Sequence, residues 1–441
     1  MQEVEDLSID TLGAANFQTT LRRSARGFVS DSEKLAVFAR SEHMSQYIAL
    51  GKPFPMFELA GPREKVFFDP HKLTCGIVTC GGLCPGLNDV IRTIVLSLHW
   101  QYCAKRVIGY RYGFEGLSSN ASQAPIELIP EIVEDIQNQG GTILGSSRGP
   151  QDSRDMVDVL AKHEVGILFA IGGDGTFGGA NTIVQEVRRR NLPISVIGIP
   201  KTIDNDIYCS ERTFGFSTAV QKAREAIYSA HQEAKAAWNG IGLVKLMGRD
   251  SGYIAVHSTL ANSDVNFCLI PEQPFKLYGE NQFLEKLEKR LTRKRHAVIV
   301  VAEGAGQDQI QGSGEGEKDP SGNVKYKDIG VFLKDKITRY FKEKQMPISL
   351  KYIDPSYTIR SCPANADDSA FCILLGQNAV HAGISGKTNM FVGYWNHHFV
   401  HVPMRLALHK RKKVDLEGPY WQSVADMTKQ IDETCQWKGQ S

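Results

Sequence analysis

Aspartate and glycine occur together where one apolar segment of the sequence ends. The segment IGGDGT, residues 171–176, follows the apolar run that starts at Val165 and sets Asp174 among glycines. Glycines let the chain turn tightly and let backbone N–H groups come within hydrogen-bonding distance of phosphate oxygens. A carboxylate in that turn would repel a bare phosphate, so Asp174 is useful chiefly when Mg²⁺ joins the carboxylate to the phosphate. The alternative is a tight turn in which Asp174 bonds its own backbone.

Two further glycine-rich segments have the same character. In TCGGLCPGLN, residues 79–88, Gly81 and Gly82 stand between an apolar run and a helical pattern, where a helix N-terminus favours an anion. In GSSRG, residues 145–149, Arg148 lies among small residues and could neutralise charge on a phosphoryl group during transfer. Taken singly, these segments are also compatible with an ordinary turn and a surface arginine.

The segment PKTIDND, residues 200–206, carries residues for acid–base chemistry. Asp204 and Asp206 are two positions apart after an apolar run, so an extended chain would direct both to one side. One carboxylate can accept the proton of a sugar hydroxyl that attacks a γ-phosphate, while the other organises the site. Thr202 can donate a hydrogen bond, and Lys201 places a positive charge beside a polyphosphate. A turn with capping aspartates is the alternative.

Cationic side chains follow two later apolar runs. Arg249 lies in MGRDSGY, and KYIDPSYTIR contains Lys351, Tyr357 and Arg360. Arginine binds the phosphate of a phosphorylated sugar with better geometry than lysine does. Glu303, in VAEGAG, could accept hydrogen bonds from sugar hydroxyls or be an ordinary strand-end glutamate.

Alternating strands and helices must position these segments. Apolar runs near residues 74–79, 165–171 and 195–199 each precede a polar or glycine-rich turn. This alternation predicts a parallel sheet covered by helices on both faces, with ligands at the carboxyl ends of the strands. Apolar runs within residues 240–302 predict a second α/β domain. HAGISGKT, residues 381–388, nearly matches a Walker A loop, but it begins with histidine and follows a helical pattern, which argues against phosphate binding.

The composition excludes several classes of function. The 441 residues carry 51 Lys and Arg against 49 Asp and Glu, so the net charge of +2 gives no reason to expect a nucleic-acid or membrane partner. No apolar run reaches membrane-spanning length and the acidic start resembles neither a signal nor a transit peptide, so we expect a cytoplasmic protein. The cysteines lack both a disulfide framework and zinc-ligand spacing.

The ordered set of motifs resembles the phosphofructokinase family. TCGGLCPGLN, LGSSRG, IGGDGT, PKTIDND, LMGRDSGY, PEQPF, AEG and YIDPSYTIR occur in the family's order, from about residue 73 to about residue 403. The resemblance implies an α/β fold of two Rossmann-like domains with parallel-rich sheets covered by helices, and an active site in the cleft between them. It implies Mg²⁺-dependent phosphorylation of fructose 6-phosphate to fructose 1,6-bisphosphate by ATP, in glycolysis, by a homo-oligomer that is a dimer or tetramer.

The resemblance also implies roles for individual residues. The phosphoryl donor would be bound by Gly81, Gly82, Arg148, Gly149, Gly173, Asp174, Gly175 and Thr176, with Asp174 carrying Mg²⁺. Asp204 would be the general base, and the other catalytic residues would be Arg148, Lys201, Thr202 and Asp206. The sugar phosphate would be bound by Thr202, Ile203, Asp204, Met247, Gly248, Arg249, Glu303, Lys351, Tyr357 and Arg360.

These roles predict a division of the chain. A nucleotide-binding domain would cover residues 69–216 with a return segment at about 360–405, and a sugar-phosphate-binding domain would cover residues 217–359. Residues 1–68 would be an N-terminal extension and residues 406–441 a C-terminal helical extension. The glycine-rich, charged stretch after Gly306 is expected to be an exposed, flexible loop.

The choice of donor depends on one position. Pyrophosphate-dependent members of the family have aspartate where this chain has Gly175, and that carboxylate would crowd and repel the α-phosphate of a nucleotide. In having lysine at position 201, the chain resembles the pyrophosphate-dependent enzymes, because typical bacterial ATP-dependent enzymes have glycine at that position. The pair of Gly175 and Lys201 resembles the plant and trypanosomatid ATP-dependent type. ATP is therefore expected, and pyrophosphate is the alternative.

The chain departs from the pattern of typical bacterial members of the family at the sugar-phosphate site. Tyr357 stands where typical bacterial enzymes have histidine, so the sugar phosphate would be held by fewer cations.

NAD and diacylglycerol kinases also carry GGDGT, but they do not account for PKTIDND together with GRDSGY. A catalytically silent nucleotide-binding regulator is disfavoured because Arg148, Asp174 and Asp204 are all present.

Overall fold

A computed structural model describes residues 6–22, 27–310 and 325–428. The chain divides into two compact units. The first contains residues 1–203, 207–215 and 360–411, and the second contains residues 204–206, 216–359 and 412–441. The division interrupts the PKTIDND segment, and the predicted domain boundaries stay predictions.

Helices and strands alternate through most of the chain. The strands are β1 (Asp10–Thr11), β2 (Phe17–Gln18), β3 (Lys34–Ala36), β4 (Met56–Leu59), β5 (Lys65–Val66), β6 (Thr74–Thr79), β7 (Arg106–Tyr110), β8 (Ile126–Glu127), β9 (Val165–Gly172), β10 (Ser195–Pro200), β11 (Gly240–Leu246), β12 (Phe267–Leu269), β13 (His296–Ala302), β14 (Ser349–Ile353), β15 (Lys387–Thr388), β16 (Met390–Trp395) and β17 (His398–Pro403). The helices are α1 (Ser41–Ala49), α2 (Leu87–Leu96), α3 (Pro130–Val133), α4 (Ser153–Lys162), α5 (Asp174–Arg189), α6 (Phe216–Ala236), α7 (Tyr253–Leu260), α8 (Phe283–Lys294), α9 (Ile329–Glu343), α10 (Ser356–Ser361), α11 (Ala366–Ile384), α12 (Met404–His409) and α13 (Pro419–Thr428).

The first unit is built on a nine-stranded mixed sheet with the order β3-β4-β17-β16-β10-β9-β6-β7-β8. The pairs from β16 through β7 are parallel, and the pairs toward both edges are antiparallel. Strands β6, β9 and β10 of its parallel centre are almost entirely buried because helices cover both faces. Leu168 and Ala170 pack into a core cluster with Phe177 of α5, whereas Ile167 faces Gly383 of α11.

The second unit is built on a four-stranded sheet with the order β12-β13-β11-β14, and all of its pairs are parallel. Alternate residues of β11 face different helices. Ile241 and Leu243 share a core cluster with residues of α8 and α9. Gly242 lies so close to α6 that a Cβ there would come within 2.7 Å of the carbonyl oxygen of Ala230. The prediction of an α/β fold with parallel-rich sheets covered by helices is confirmed.

Several local predictions need correction. The pattern after Ile129 predicts a helix leading into GSSRG, but α3 ends at Val133 because Asp135 leaves the helical region with φ −116°. The charged pattern of residues 279–295 predicts a helix, and α8 lies within this range. HAGISGKT runs from the end of α11 into β15. The flexible loop predicted after Gly306 lies largely outside the described residues, as does the end of the C-terminal extension.

The N-terminal residues form part of the first unit. Strands β3 and β4 extend its large sheet, and β4 pairs antiparallel with β17. Within the ranges described, no helix is long and apolar enough to cross a membrane. Nor does any cysteine in those ranges form a disulfide bond.

Candidate active site

The glycine-rich segments of the first unit meet at the carboxyl end of its parallel strands. Gly81 follows β6 in a left-handed conformation, with φ 85°, which glycine adopts without strain. Its N–H donates to the carbonyl of Ser147 at 3.1 Å, and the Ser146 hydroxyl donates to its carbonyl at 2.5 Å. These bonds place GSSRG beside TCGG.

Three cationic side chains surround Gly82. Lys201, which follows β10, is buried and donates from Nζ to the carbonyl of Gly82 at 2.6 Å. A Cβ placed on Gly82 would lie 3.4 Å from an Arg148 guanidinium nitrogen and 3.9 Å from one of Arg360. Both distances are ordinary van der Waals contacts, so the three cations lie close to one another around Gly82, and their combined charge favours a polyphosphate or phosphate group.

Asp174 begins α5. Gly173 precedes it in an extended conformation, and the N–H groups of Thr176 and Phe177 donate to the Gly173 carbonyl. A carboxylate in the first turn of a helix is stabilised by the helix dipole. The buried Thr176 side chain fills the space above Gly172, so any Cβ at Gly172 would overlap it. The fold thus fixes the turn tightly and leaves the Asp174 carboxylate one-quarter exposed.

Gly175 has open space beside it. A Cβ built on Gly175 would have no heavy atom within 4 Å. Neighbouring protein atoms therefore do not impose glycine at this position. A requirement for glycine here has to come from something that binds at the N-terminus of α5.

The PKTIDND segment is not extended, and the prediction that strand alternation directs Asp204 and Asp206 to one side is wrong. The chain turns at Ile203–Asp204, and Asn205 is left-handed with φ 54°. Asparagine tolerates this conformation because its short side chain can bond locally. Asp206 is buried with 9% of its surface exposed, whereas Asp204 is half-buried. The Thr213 hydroxyl donates to the carbonyl of Thr202 at 2.6 Å and steadies the start of the turn.

The second unit presents its own loops after parallel strands. Met247 and Gly248 follow β11, and Glu303 follows the neighbouring strand β13. The N–H of Gly304 donates to the carbonyl of Gly248 at 3.1 Å, and a Cβ at Gly304 would overlap the carbonyl oxygen of Arg249. The glycine of the AEG motif is therefore needed for close contact between these two loops.

The Asp204 main chain belongs to the same unit as these loops. The buried Ser251 hydroxyl donates to the Asp204 carbonyl at 3.1 Å. Arg249 lies over the ring of Tyr326, with its guanidinium carbon 4.6 Å from the ring centroid. The proposed general base thus sits against the MGRDSGY loop through its backbone.

The KYIDPSYTIR segment is fixed by a lysine of β11. Lys245 Nζ lies 2.8 Å from carboxylate oxygens of both Asp354 and Asp328. Burial alone would raise the pKa of Asp354, but the hydrogen bonds from Lys245 and Ser356, together with the charge of Lys245, outweigh burial, and the pKa falls below its ordinary value. Lys351 and Tyr357 are exposed. Arg360 belongs to the first unit, whereas Lys351 and Tyr357 belong to the second.

Sequence reasoning missed Arg411, which lies beyond α12. Its Nε lies 2.7 Å from Asp174 Oδ2, and its main chain forms an antiparallel bridge with Ile207. No motif marks this residue, because it is distant in sequence from the glycine-rich segments. A cation therefore already neutralises the carboxylate that we expect to carry Mg²⁺.

The protein ligands at this site suit a Mg²⁺ ion that is bound jointly by Asp174 and by oxygens of the substrate. Among the described residues, no cluster of three or more His, Cys, Asp or Glu side chains could form a metal cage. Mg²⁺ is often held by only one or two carboxylates plus phosphate oxygens, and the accessible Asp174 carboxylate beside open space at Gly175 meets that need. Burial raises the pKa of the adjacent Cys80 thiol to about 12, so this sulfur adds no negative charge.

Comparisons with known proteins show which family the chain is similar to. A family model described as phosphofructokinase matches residues 74–383. The ATP-dependent 6-phosphofructokinase of Borreliella burgdorferi is 47% identical over 438 residues, which are 96% of this chain and 97% of the relative. The enzyme of the same name from Trypanosoma brucei brucei is 46% identical over 431 residues, covering 96% of this chain and 87% of the relative.

A solved structure shows the same fold. The pyrophosphate-dependent phosphofructokinase from Marinobacter aquaeolei superposes with a TM-score of 0.66, covering 82% of this chain and 92% of that chain. Its sequence identity is 19%, so this likeness bears on the fold alone.

Proposed function

The chain belongs to the phosphofructokinase family, and we propose that it transfers the γ-phosphoryl group of ATP to the 1-hydroxyl of fructose 6-phosphate. The product is fructose 1,6-bisphosphate, as in glycolysis. The observation that carries the proposal is the group of three cations around Gly82, next to a helix that begins with Asp174. This arrangement suits a polyphosphate held with Mg²⁺.

Each proposed role follows from the chemistry of the side chain. Asp204 accepts the proton of the 1-hydroxyl as its oxygen attacks the γ-phosphorus, and the bond from that phosphorus to the bridging oxygen breaks. Arg148 and Lys201 stabilise the negative charge on the transferring group and the leaving phosphate. Bound Mg²⁺, with Asp174 as its protein ligand, would supply further charge neutralisation.

The sugar phosphate is assigned mainly to residues within or after strands β11, β13 and β14. Arg249 and Arg360 would bind the 6-phosphate, and Glu303 would accept hydrogen bonds from sugar hydroxyls. Lys351 and Tyr357 would complete the set with Met247, Gly248, Thr202 and Ile203. Asp206 would organise the loop that holds Asp204.

ATP is the proposed donor because Gly175 leaves open space at the N-terminus of α5. The names of the relatives at 46–47% identity point the same way. Lys201 keeps pyrophosphate as the second candidate. We also propose a cytoplasmic homo-oligomer, a dimer or tetramer, which size-exclusion chromatography with light scattering would test.

The donor assay tests the function directly. Purified protein is supplied with Mg²⁺, fructose 6-phosphate and either ATP or pyrophosphate, and fructose 1,6-bisphosphate is measured. We expect kcat/KM with ATP to exceed that with pyrophosphate at least about 100-fold. Comparable or faster turnover with pyrophosphate would overturn the donor assignment, and no product with either donor would overturn the function.

A further inference from the structure

The carboxylate assigned to the metal is paired with a residue from the far end of the first unit. Arg411 Nε lies 2.7 Å from Asp174 Oδ2, and no catalytic or binding role has been given to Arg411 above. Its side chain is one-third exposed and that of Asp174 is one-quarter exposed. An ion pair with this much solvent contact stabilises a fold by only about 0–1 kcal/mol. The small contribution to folding stability therefore does not by itself explain why Asp174 and Arg411 are paired.

The main chain around Arg411 is held independently of its side chain. Arg411 forms a backbone bridge with Ile207, and the N–H of Lys412 donates to the carbonyl of Asp206 at 2.8 Å. The N–H of Val414 donates to Glu272 Oε1 at 2.9 Å. These bonds hold the main chain at and after Arg411 without involving its guanidinium.

Two cations would compete for one carboxylate when the donor arrives. A guanidinium and Mg²⁺ both bind carboxylate oxygens, and an oxygen within 3 Å of Nε is shielded from a metal on that side. Without a cation, the Asp174 carboxylate would repel the incoming phosphates.

We propose that Arg411 is a positioning residue of the donor site, whose guanidinium neutralises Asp174 in the donor-free protein and gives way to the divalent metal. This inference rests on the proposed function, because that proposal makes Asp174 the metal ligand. Arg411 then acts on Asp174 and is not a ligand of the phosphates. Its removal should free the carboxylate for metal while leaving the donor's own contacts in place.

Metal binding by the full-length, nucleotide-free protein tests the proposal. Mn²⁺ is the probe, because it accepts oxygen ligands as Mg²⁺ does and the free ion is counted by electron paramagnetic resonance. We expect Arg411→Met to bind Mn²⁺ about three- to tenfold more tightly than the native chain, as loss of a competing charge-assisted bond implies. Arg411→Lys should fall between the two, because it keeps the charge without the guanidinium geometry.

The matched control is Arg188→Met. Arg188 lies on α5 with Asp174 but pairs with Asp10 at the surface, so this variant loses the same charge without touching the site. Its Mn²⁺ affinity should equal that of the native chain. The gain from Arg411→Met should also vanish when Asp174→Asn is present.

The outcomes separate this inference from the proposed function. If Asp174→Asn abolishes Mn²⁺ binding and Arg411→Met binds no more tightly than the native chain, the inference is overturned and the metal assignment stands. If Asp174→Asn keeps native affinity, the metal assignment itself fails. Absence of Mn²⁺ binding by Arg411→Met up to millimolar concentrations would overturn the inference too.

A second measurement distinguishes a residue that acts on Asp174 from a residue that binds the phosphates of the donor directly. The dissociation constant of the β,γ-methylene analogue of ATP with Mg²⁺ should change less than threefold in Arg411→Met. An increase of tenfold or more would mean that Arg411 binds the donor, and would contradict the proposal.

Discussion

We predict that donor choice can be changed at Gly175 without disturbing the fold. Aspartate would fit there in the free protein, because nothing lies within 4 Å of a Cβ at this position, and an acid in the first turn of α5 suits the helix dipole. We expect Gly175→Asp to lower kcat/KM for ATP about 100-fold or more, or about 3 kcal/mol, by crowding and repelling the α-phosphate. Activity with pyrophosphate should not fall in parallel.

Gly178→Asp is the control for that substitution. Gly178 lies one turn further along α5, also with open space beside it, and receives the same charge. Steady-state kinetics with both donors should show ATP turnover within about twofold of the native value. Equal losses in the two variants would show that added charge on α5, and not position 175, decides the effect.

The general base can be tested by removing its carboxylate. Asp204→Ser should lower kcat by about 100-fold or more and leave the affinity for fructose 6-phosphate nearly unchanged, because only proton transfer is lost. The bond from Ser251 reaches the main chain of residue 204 and survives the change. Asp264→Ser, in a loop beside His231, should keep native kinetics. Near-native turnover in Asp204→Ser would remove Asp204 from the mechanism.

At the level of single residues, local sequence identified much of the candidate site. Gly81, Gly82 and Lys201 lie together because they follow strands β6 and β10 of one parallel array, whereas Arg148 reaches them on a loop that does not follow a strand. Arg411 could not be found in this way, since its ion pair with Asp174 depends on a chain path that no motif records. Single-residue roles in catalysis stay predictions until they are measured.

At the level of elements, Lys245 joins β11 to two segments that follow it. It bonds Asp328, the residue that caps α9, and Asp354, which precedes α10. Lys245→Met should lower the free energy of unfolding by about 1–2 kcal/mol, because two partly exposed carboxylates lose a charged partner. It should also raise KM for fructose 6-phosphate more than it changes kcat, because Asp354 no longer fixes the segment that carries Tyr357.

The control for this variant is Lys222→Met on α6. Lys222 pairs with Glu225, and both side chains are more than one-third exposed, so little stability should be lost. Urea unfolding and steady-state kinetics measure the two effects. Equal destabilisation by the two variants, or an unchanged KM in Lys245→Met, would contradict the role given to the β11 lysine.

Elements with a strong local pattern were predictable, and those defined by distant pairing were not. Strand β9 and helix α5 follow from an apolar run and a helical period, which are properties of the segment alone. Strands β3 and β4 are short and lack such a pattern; they form because β17 offers an antiparallel edge. The turn at Asn205 was also not predictable from the sequence, because a single left-handed residue leaves no periodic signal.

At the level of the whole molecule, the N-terminal residues are tied to the C-terminal part of the first unit by charge. Glu58 of β4 lies within 3.0 Å of Arg63 Nη2, and within 2.9 Å of both Lys387 Nζ and His401 Nδ1. Lys387 and His401 are almost fully buried. The sequence indicates an extension wrapped on a core, but these partners are separated by more than three hundred positions and no local pattern pairs them.

Removing the Glu58 charge tests whether this extension supports the unit. Glu58→Gln should lower the free energy of unfolding by about 3 kcal/mol, because it leaves the buried cations Arg63 and Lys387 without their central carboxylate. Glu64→Gln, an exposed position in the same segment, should cost almost nothing. Chemical unfolding at pH 7 gives both values, and equal stability of the two variants would contradict a supporting role.

The pH dependence of stability tests whether the charge of Glu58 causes this difference. Burial alone would raise the pKa of Glu58, but the bonds from His401 and Lys387 outweigh burial and lower it from 4.5 to about 2. A carboxyl group whose pKa is lower in the folded protein stabilises the fold above its unfolded pKa and loses that contribution as the pH falls. The stability difference between the native chain and Glu58→Gln should therefore stay constant from pH 7 to about pH 5 and shrink from pH 4.5 towards pH 2. A difference that persisted undiminished at pH 2 would have to come from packing and not from the charge, and the N-terminal segment would then be held by its strands alone.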